Sequence, residues 1–166
     1  MESHRPYLSE YAGQSIDELI ALEGEYRLDS LVLAVEQAIG AKAWREGDAA
    51  LSDAEGVVLA IRALQREMSN GGYWQFFVSS AREFVPWIVA ALGRIGCPAT
   101  AGATARAMEA YGVTDSMTAE EVAAAVQDRE ISEQQALNMA YFGSGEDLTA
   151  HLFEFIKANR GTIRIP

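Results

Sequence analysis

Six consecutive residues, Asn70, Gly71, Gly72, Tyr73, Trp74 and Gln75, carry the plainest chemical potential in the chain. Aromatic rings beside an amide can line a ligand pocket, and this stretch is the candidate for one. The same residues also satisfy a purely architectural reading. Glycine turns and aromatic cores arise from packing alone. A Gln75 buried in the aromatic run then bonds its amide to the open carbonyls of the turn.

Elsewhere reactive side chains are sparse. No phosphate loop, dinucleotide glycine fingerprint or nucleophile elbow is present. One Cys and two His fall short of the usual zinc ligand sets. Asp147, His151 and Glu154 stand at helical spacings and make the best metal candidate. Carboxylates and a histidine on a terminal helix are more often a solvated face. Cys97 sits at a helix start, where a thiol pKa can be lowered. No histidine lies near it in sequence, and a buried or loop-capping thiol is the better reading. The sequence thus names no catalytic residue, no metal site and no cofactor.

Charge says more. The 166 residues include 24 acidic and 13 basic ones, a net charge of −11 at pH 7. Phosphate contacts need clustered Lys and Arg, so direct nucleic-acid binding is disfavoured. Acidity of this size either serves solubility or builds a carboxylate array that occupies a basic DNA-binding surface. The candidates for an array fall in two groups, Asp17, Glu18, Glu23, Glu25, Asp29 and Glu36 early, and Asp115, Glu120, Glu121, Asp128, Glu130 and Glu133 late. Duplex DNA carries one charge per about 1.7 Å of axis, so a mimic needs spaced rows. Helix capping and dipole chemistry already account for Glu18, Glu121 and several other first-turn acids.

The elements that position these residues read as helices. Val57, Ile61, Leu64 and Met68 form one apolar stripe running into the turn. Asn70 and Gly71 tolerate the left-handed conformation that ends a helix, and Gly72 adds a second permissive position for a tight reversal. Tyr73, Trp74, Phe76 and Phe77 then start a helix apolar around much of its circumference, which places it among others. Arg66, Glu67, Arg82 and Glu83 flank it and are positioned to pair across it. Capping boxes at Ser15/Glu18, Ser52/Glu55, Thr118/Glu121, Ser132/Gln135 and Ser144/Asp147 mark further starts. The stripe from Leu28 to Ile39 ends near Gly40 or a little beyond, with a loop through Trp44, Gly47 and Asp48. Phe84 to Ile95 is the most apolar segment, and Pro98 suits the first turn of the alanine-rich helix to Tyr111. Thr162 to Ile165 reads as an extended arm.

The segment Glu67 to Phe77 resembles the signature of a bacterial helical family of unknown function related to a DNA-mimic protein, with the core Asn-Gly-Gly-x-x-Gln-aromatic-aromatic. Ala91 to Ala99 is similar to that family's second block. The resemblance covers about residues 30 to 142. It departs from the pattern at Ser79 and Ser80, where the family often has Asn. The resemblance implies an α-helical fold and, from the family's best-known member, an acidic dimer that imitates duplex DNA and sequesters a transcription regulator.

The chain is therefore expected to be all-α, a single multi-helix domain of about eight helices over 15–160 with a central aromatic helix after a Gly-Gly turn. An arm over 1–14 and a tail over 161–166 flank it. A domain of this size buries about 68–70% of its unfolded surface without staples. The lone Cys97, the lack of an apolar signal core after Met1, and an apolar run at Phe84–Leu92 far short of the ~20 residues of a membrane span point to a cytoplasmic protein. The expected partner is a basic DNA-binding protein, with no direct nucleic-acid or membrane contact, and the resemblance allows a homodimer. The alternative is a small-molecule binder or enzyme with its pocket at the Asn70-Gly71-Gly72 turn.

Overall fold

Local capping chemistry sets several helix starts. In the computed structural model, which describes residues 4–165, Ser15 and Glu18 close a reciprocal box at the head of α1 (Ile16–Ala21). The helices that follow are α2 (Leu28–Glu46), α3 (Asp53–Val78), α4 (Val85–Arg94), α5 (Pro98–Tyr111), α6 (Ala119–Val126), α7 (Gln134–Phe142) and α8 (Leu148–Ala158). Short 3-10 turns occupy Asp48–Ala50 and Ser80–Phe84, and no strand occurs among the described residues. The all-α reading and the number of helices hold. No single helix among the described residues is long and apolar enough to cross a membrane.

Two further boxes form as the sequence requires, Ser52 with Glu55 at α3 and Thr118 with Glu121 at α6. The other two do not. α7 begins after Glu133 with no side-chain cap, so Ser132 and Gln135 miss the required positions. α8 is capped by Asp147 itself, whose Oδ1 accepts from the Ala150 N–H at 3.0 Å. Ser144 instead joins Glu146 in capping a distant helix. The Glu146 carboxylate accepts the Ala99 N–H at 2.5 Å and the Thr100 N–H at 3.3 Å. It satisfies the first turn of α5, where Cys97 offers no side-chain cap, and places negative charge at the positive end of the helix dipole.

Two compact units divide the chain, Met1–Leu59 with Asp147–Pro166, and Ala60–Glu146; α3 passes from the first into the second. In the first unit α2 packs on α1 and α8. Leu31, Val35 and Ile39 are fully buried there, as are Leu19, Leu152 and Ile156. α2 continues past Gly40 to Glu46, beyond the end expected near Gly40, and the loop expected through Trp44 is helix there. One exposed glycine costs about 1 kcal/mol relative to Ala, too little to end a helix held by a buried stripe. Gly47, at φ 87°, ends it.

The N-terminal arm lies on this unit through Arg27 N–H to the Pro6 carbonyl (2.9 Å) and Leu8 N–H to Ser30 Oγ (3.0 Å). The C-terminal segment buries Ile163 and donates the Arg164 N–H to Glu55 Oε1 at 2.7 Å. Glu55, fully buried, also accepts the Lys42 ammonium at 2.9 Å on each oxygen and the Ser52 N–H at 3.1 Å.

In the second unit α5 packs on α4 and α7. Its buried face is Thr100, Ala103, Thr104, Ala107, Met108 and Tyr111, and small side chains along it permit close approach. Arg82, expected to pair across the aromatic helix, donates instead to the Val78 and Ser79 carbonyls at 2.9 and 3.0 Å. It thereby caps the open C-terminal end of α3.

Candidate functional site

The corner at the end of α3 rests on one residue. Gly72 has φ 81° and ψ −162°, the only non-helical backbone inside α3. No non-glycine residue among those described has positive φ, so Asn70 takes no left-handed conformation, and Gly71 takes none either. The expected two-glycine reversal is thus a kink at Gly72, with helix on both sides and no loop between them. That conformation is open essentially to glycine alone. A second constraint coincides with it. The carboxamide of Asn138, from α7, fills the space that a Cβ at position 72 would take. Asn138 Oδ1 then accepts the Tyr73 N–H at 3.0 Å, satisfying an amide that the kink strips of its helical partner.

Beyond the kink the aromatic run packs inward. Tyr73, Phe76 and Phe77 are fully buried. Phe77 meets Phe76 at 5.6 Å and Tyr111 at 5.4 Å, both edge-on, and Tyr73 meets Tyr141 edge-on at 6.1 Å. These are the favoured aromatic geometries. The Tyr73 hydroxyl shares a hydrogen bond with Thr104 Oγ1 at 2.9 Å. Burial pushes the Tyr73 phenol up to about 12, against smaller opposing effects of the Thr104 bond and Arg106. Burial raises the Tyr141 phenol as well.

Because the folded-state value of Tyr73 lies above the unfolded value near 10, its contribution is complete below pH 10 and is lost as pH rises through about 12. The two-unit difference corresponds to about 2–3 kcal/mol. Denaturant unfolding between pH 9 and 12 is expected to show this decline, and Tyr73→Phe to flatten part of it.

Of the six candidate pocket residues, Asn70 and Gly71 are exposed, Gly72 and Tyr73 are buried, and Trp74 and Gln75 are partly exposed. Gln75 folds over Gly71 and has no side-chain hydrogen bond among the described residues, so its amide is left to solvent. Trp74 alone of the six lines a particular cleft of about 680 Å³. The rest of that lining is Gln127, Asp128, Arg129, Glu130 and Gln134, on the segment between α6 and the start of α7.

The acidic candidates lie at the surface: Asp29 and Glu36 are partly exposed, the other ten exposed. Several are engaged. Asp29 pairs with Arg27 at 2.9 Å, Glu23 with Lys157 at 3.0 Å and Asp17 with Arg160 at 3.9 Å, while Glu18 and Glu121 serve their capping boxes. The side chains of Glu25, Asp115, Glu120, Asp128, Glu130 and Glu133 have no hydrogen-bond or ion-pair partner among the described residues. The stretch from Asp115 to Glu133 therefore carries six carboxylates against the single Arg129. Arg129, exposed overall, has its Nη1 tied to the Tyr111 carbonyl at 2.9 Å.

Among the described residues no group of three or more His, Cys, Asp or Glu side chains is arranged to hold a metal ion. Asp147 is occupied as the α8 cap and Glu154 pairs with Lys157 at 2.6 Å. Cys97 is fully buried ahead of α5. Asn138, Glu146 and Arg129 were not visible as site-forming residues in the sequence. The one local signal is the lone amide of Asn138 inside the apolar run Ala136–Phe142.

A family model described as DMP19-like protein matches residues 49–159, and the chain belongs to this family. No curated protein and no solved structure matches the chain.

Proposed function

We propose that this member of the DMP19-like family is a non-enzymatic interaction protein of the cytoplasm that covers the basic DNA-binding surface of a regulatory protein in place of duplex DNA. The observation that carries this reading is the surplus of unengaged carboxylates between Asp115 and Glu133. Five of the six have no internal partner, and the one cation among them is bonded to backbone. Carboxylates committed to folding would be capped or paired, as Glu121 is. Unpaired, exposed and of one sign, they set up a field that steers and orients a basic surface. Lys and Arg side chains arranged to neutralise phosphates can neutralise such carboxylates instead, so the contact weakens with salt as it does for DNA. Pairing of two copies would enlarge the array, and light scattering of the protein alone reads that state.

The test is capture from a bacterial lysate on immobilised protein, eluted in parallel with duplex DNA and with rising salt. Proteins released by both are expected. A variant carrying Asp115→Asn, Glu120→Gln, Asp128→Asn, Glu130→Gln and Glu133→Gln keeps the Thr118/Glu121 box. It is expected to capture them about tenfold less well. Partners indifferent to duplex DNA, to salt and to the five substitutions would remove the reading.

A further inference from the structure

The cleft beside Trp74 combines groups that a diffuse acidic surface lacks. An indole, two carboxylates, two carboxamides and the Arg129 guanidinium line one open space of about 680 Å³. We propose that this cleft receives an arginine side chain from the basic partner, an inference that rests on the function proposed above. The indole is the aromatic ring that best attracts a guanidinium across its face. Asp128 and Glu130 have no internal partner and accept the planar N–H fork in pairs, the strongest common form of charged hydrogen bond. The carboxamide oxygens of Gln127 and Gln134 take the remaining donors.

Arg129 is the internal competitor for the two carboxylates, and it is committed elsewhere. Its Nη1 donates to the Tyr111 carbonyl at 2.9 Å and occupies the space that a side chain at Gly112 would fill. Two carboxylates against one held guanidinium leave the cleft with a net negative charge. Lysine is a poorer occupant, because its ammonium is compact, strongly hydrated and has no plane to stack on the ring. Anions are opposed by Asp128 and Glu130, and an apolar ligand by the five polar side chains of the lining.

Nuclear magnetic resonance of the full chain with 15N-labelled tryptophan tests this, using the peptide acetyl-Gly-Arg-Gly-amide and its lysine counterpart as probes. Trp44, 91% exposed, and Trp87, 43% exposed, serve as internal controls. The arginine peptide is expected to move the Trp74 indole N–H and leave the other two in place, and to bind about tenfold more tightly than the lysine peptide. Trp74→Leu is expected to lower that affinity about tenfold. Asp128→Asn with Glu130→Gln does the same, and because both side chains are exposed it answers alone if Trp74→Leu fails to fold.

Equal binding of the two peptides, shifts shared by all three indoles, or affinity unchanged in the variants would overturn the assignment. A captured protein that duplex DNA displaces and that binds Trp74→Leu normally leaves the acidic array standing and removes the anchor. An arginine peptide seated at Trp74, with no DNA-displaced partner, keeps the anchor and removes the mimic.

Discussion

Gly72→Ala is expected to destabilise the protein by about 2–6 kcal/mol, the sum of two separate penalties. The first is conformational: at φ 81° and ψ −162° an L side chain is in a region it essentially never adopts, at about 1–3 kcal/mol. The second is the eviction of the Asn138 carboxamide, which occupies the space of the new methyl group. Its departure leaves the buried Tyr73 N–H without an acceptor, at about 1–3 kcal/mol. Asn138→Ala alone is expected to show only the second penalty. In the double variant the two effects are less than additive, because the clash can be removed only once.

Gly40→Ala is the matched control. It lies inside α2 with nothing within 4 Å of the added carbon and no positive φ, and is expected to be neutral or stabilising by up to about 1 kcal/mol. Urea unfolding of the four variants measures all of this. A cost below about 1 kcal/mol at position 72 would contradict the kink described here.

Glu55→Ala is expected to cost about 3–5 kcal/mol, because it leaves the Lys42 ammonium buried without a counter-charge. It also removes the acceptor for the Ser52 and Arg164 N–H groups at 3.1 and 2.7 Å. Lys42→Met is expected to cost less, since Glu55 keeps both backbone donors. Lys42→Met with Glu55→Leu is expected to regain part of the Glu55→Ala loss, because neither charge is then stranded. Amide hydrogen exchange supplies the local readout: the Arg164 amide should lose protection in Glu55→Ala and keep it in Lys42→Met. An unfolding free energy of Glu55→Ala within about 1 kcal/mol of the parent would show that the ion pair is not buried as described.

What the sequence made legible is what lies within one helical turn. Ser15, Ser52 and Thr118 each form a box with a residue three positions on, and Pro98 marks a start by its own backbone preference. The same local logic misplaced Gly40, whose small propensity cost is outweighed by the buried stripe of α2. It misread Ser144, whose hydroxyl serves Thr100 at 3.1 Å, 44 residues away. The aromatic helix was recognisable because Tyr73, Phe76 and Phe77 could hardly all face water.

The rest depended on partners brought together by the fold. Asn138 reaches Tyr73 across 65 residues and Glu146 reaches Ala99 across 47. Neither contact leaves a periodic mark in the chain. Glu55 shows the boundary well. Its capping role was readable from Ser52, whereas its bonds to Lys42 and Arg164 were not. The pocket centred on Asn70 to Gln75 divided for the same reason. Tyr73 and Gly72 went into the core, and Trp74 was left beside a segment more than 50 residues further along the chain.

The most direct test of the proposed function is whether a purified captured partner can hold duplex DNA and this protein at once. Size-exclusion chromatography with light scattering, run on the three components together, reads the answer as mass. The account predicts two separate binary complexes, with each binder driving the other from the partner as its concentration rises. A single ternary complex, with DNA still bound while this protein is attached, would contradict it.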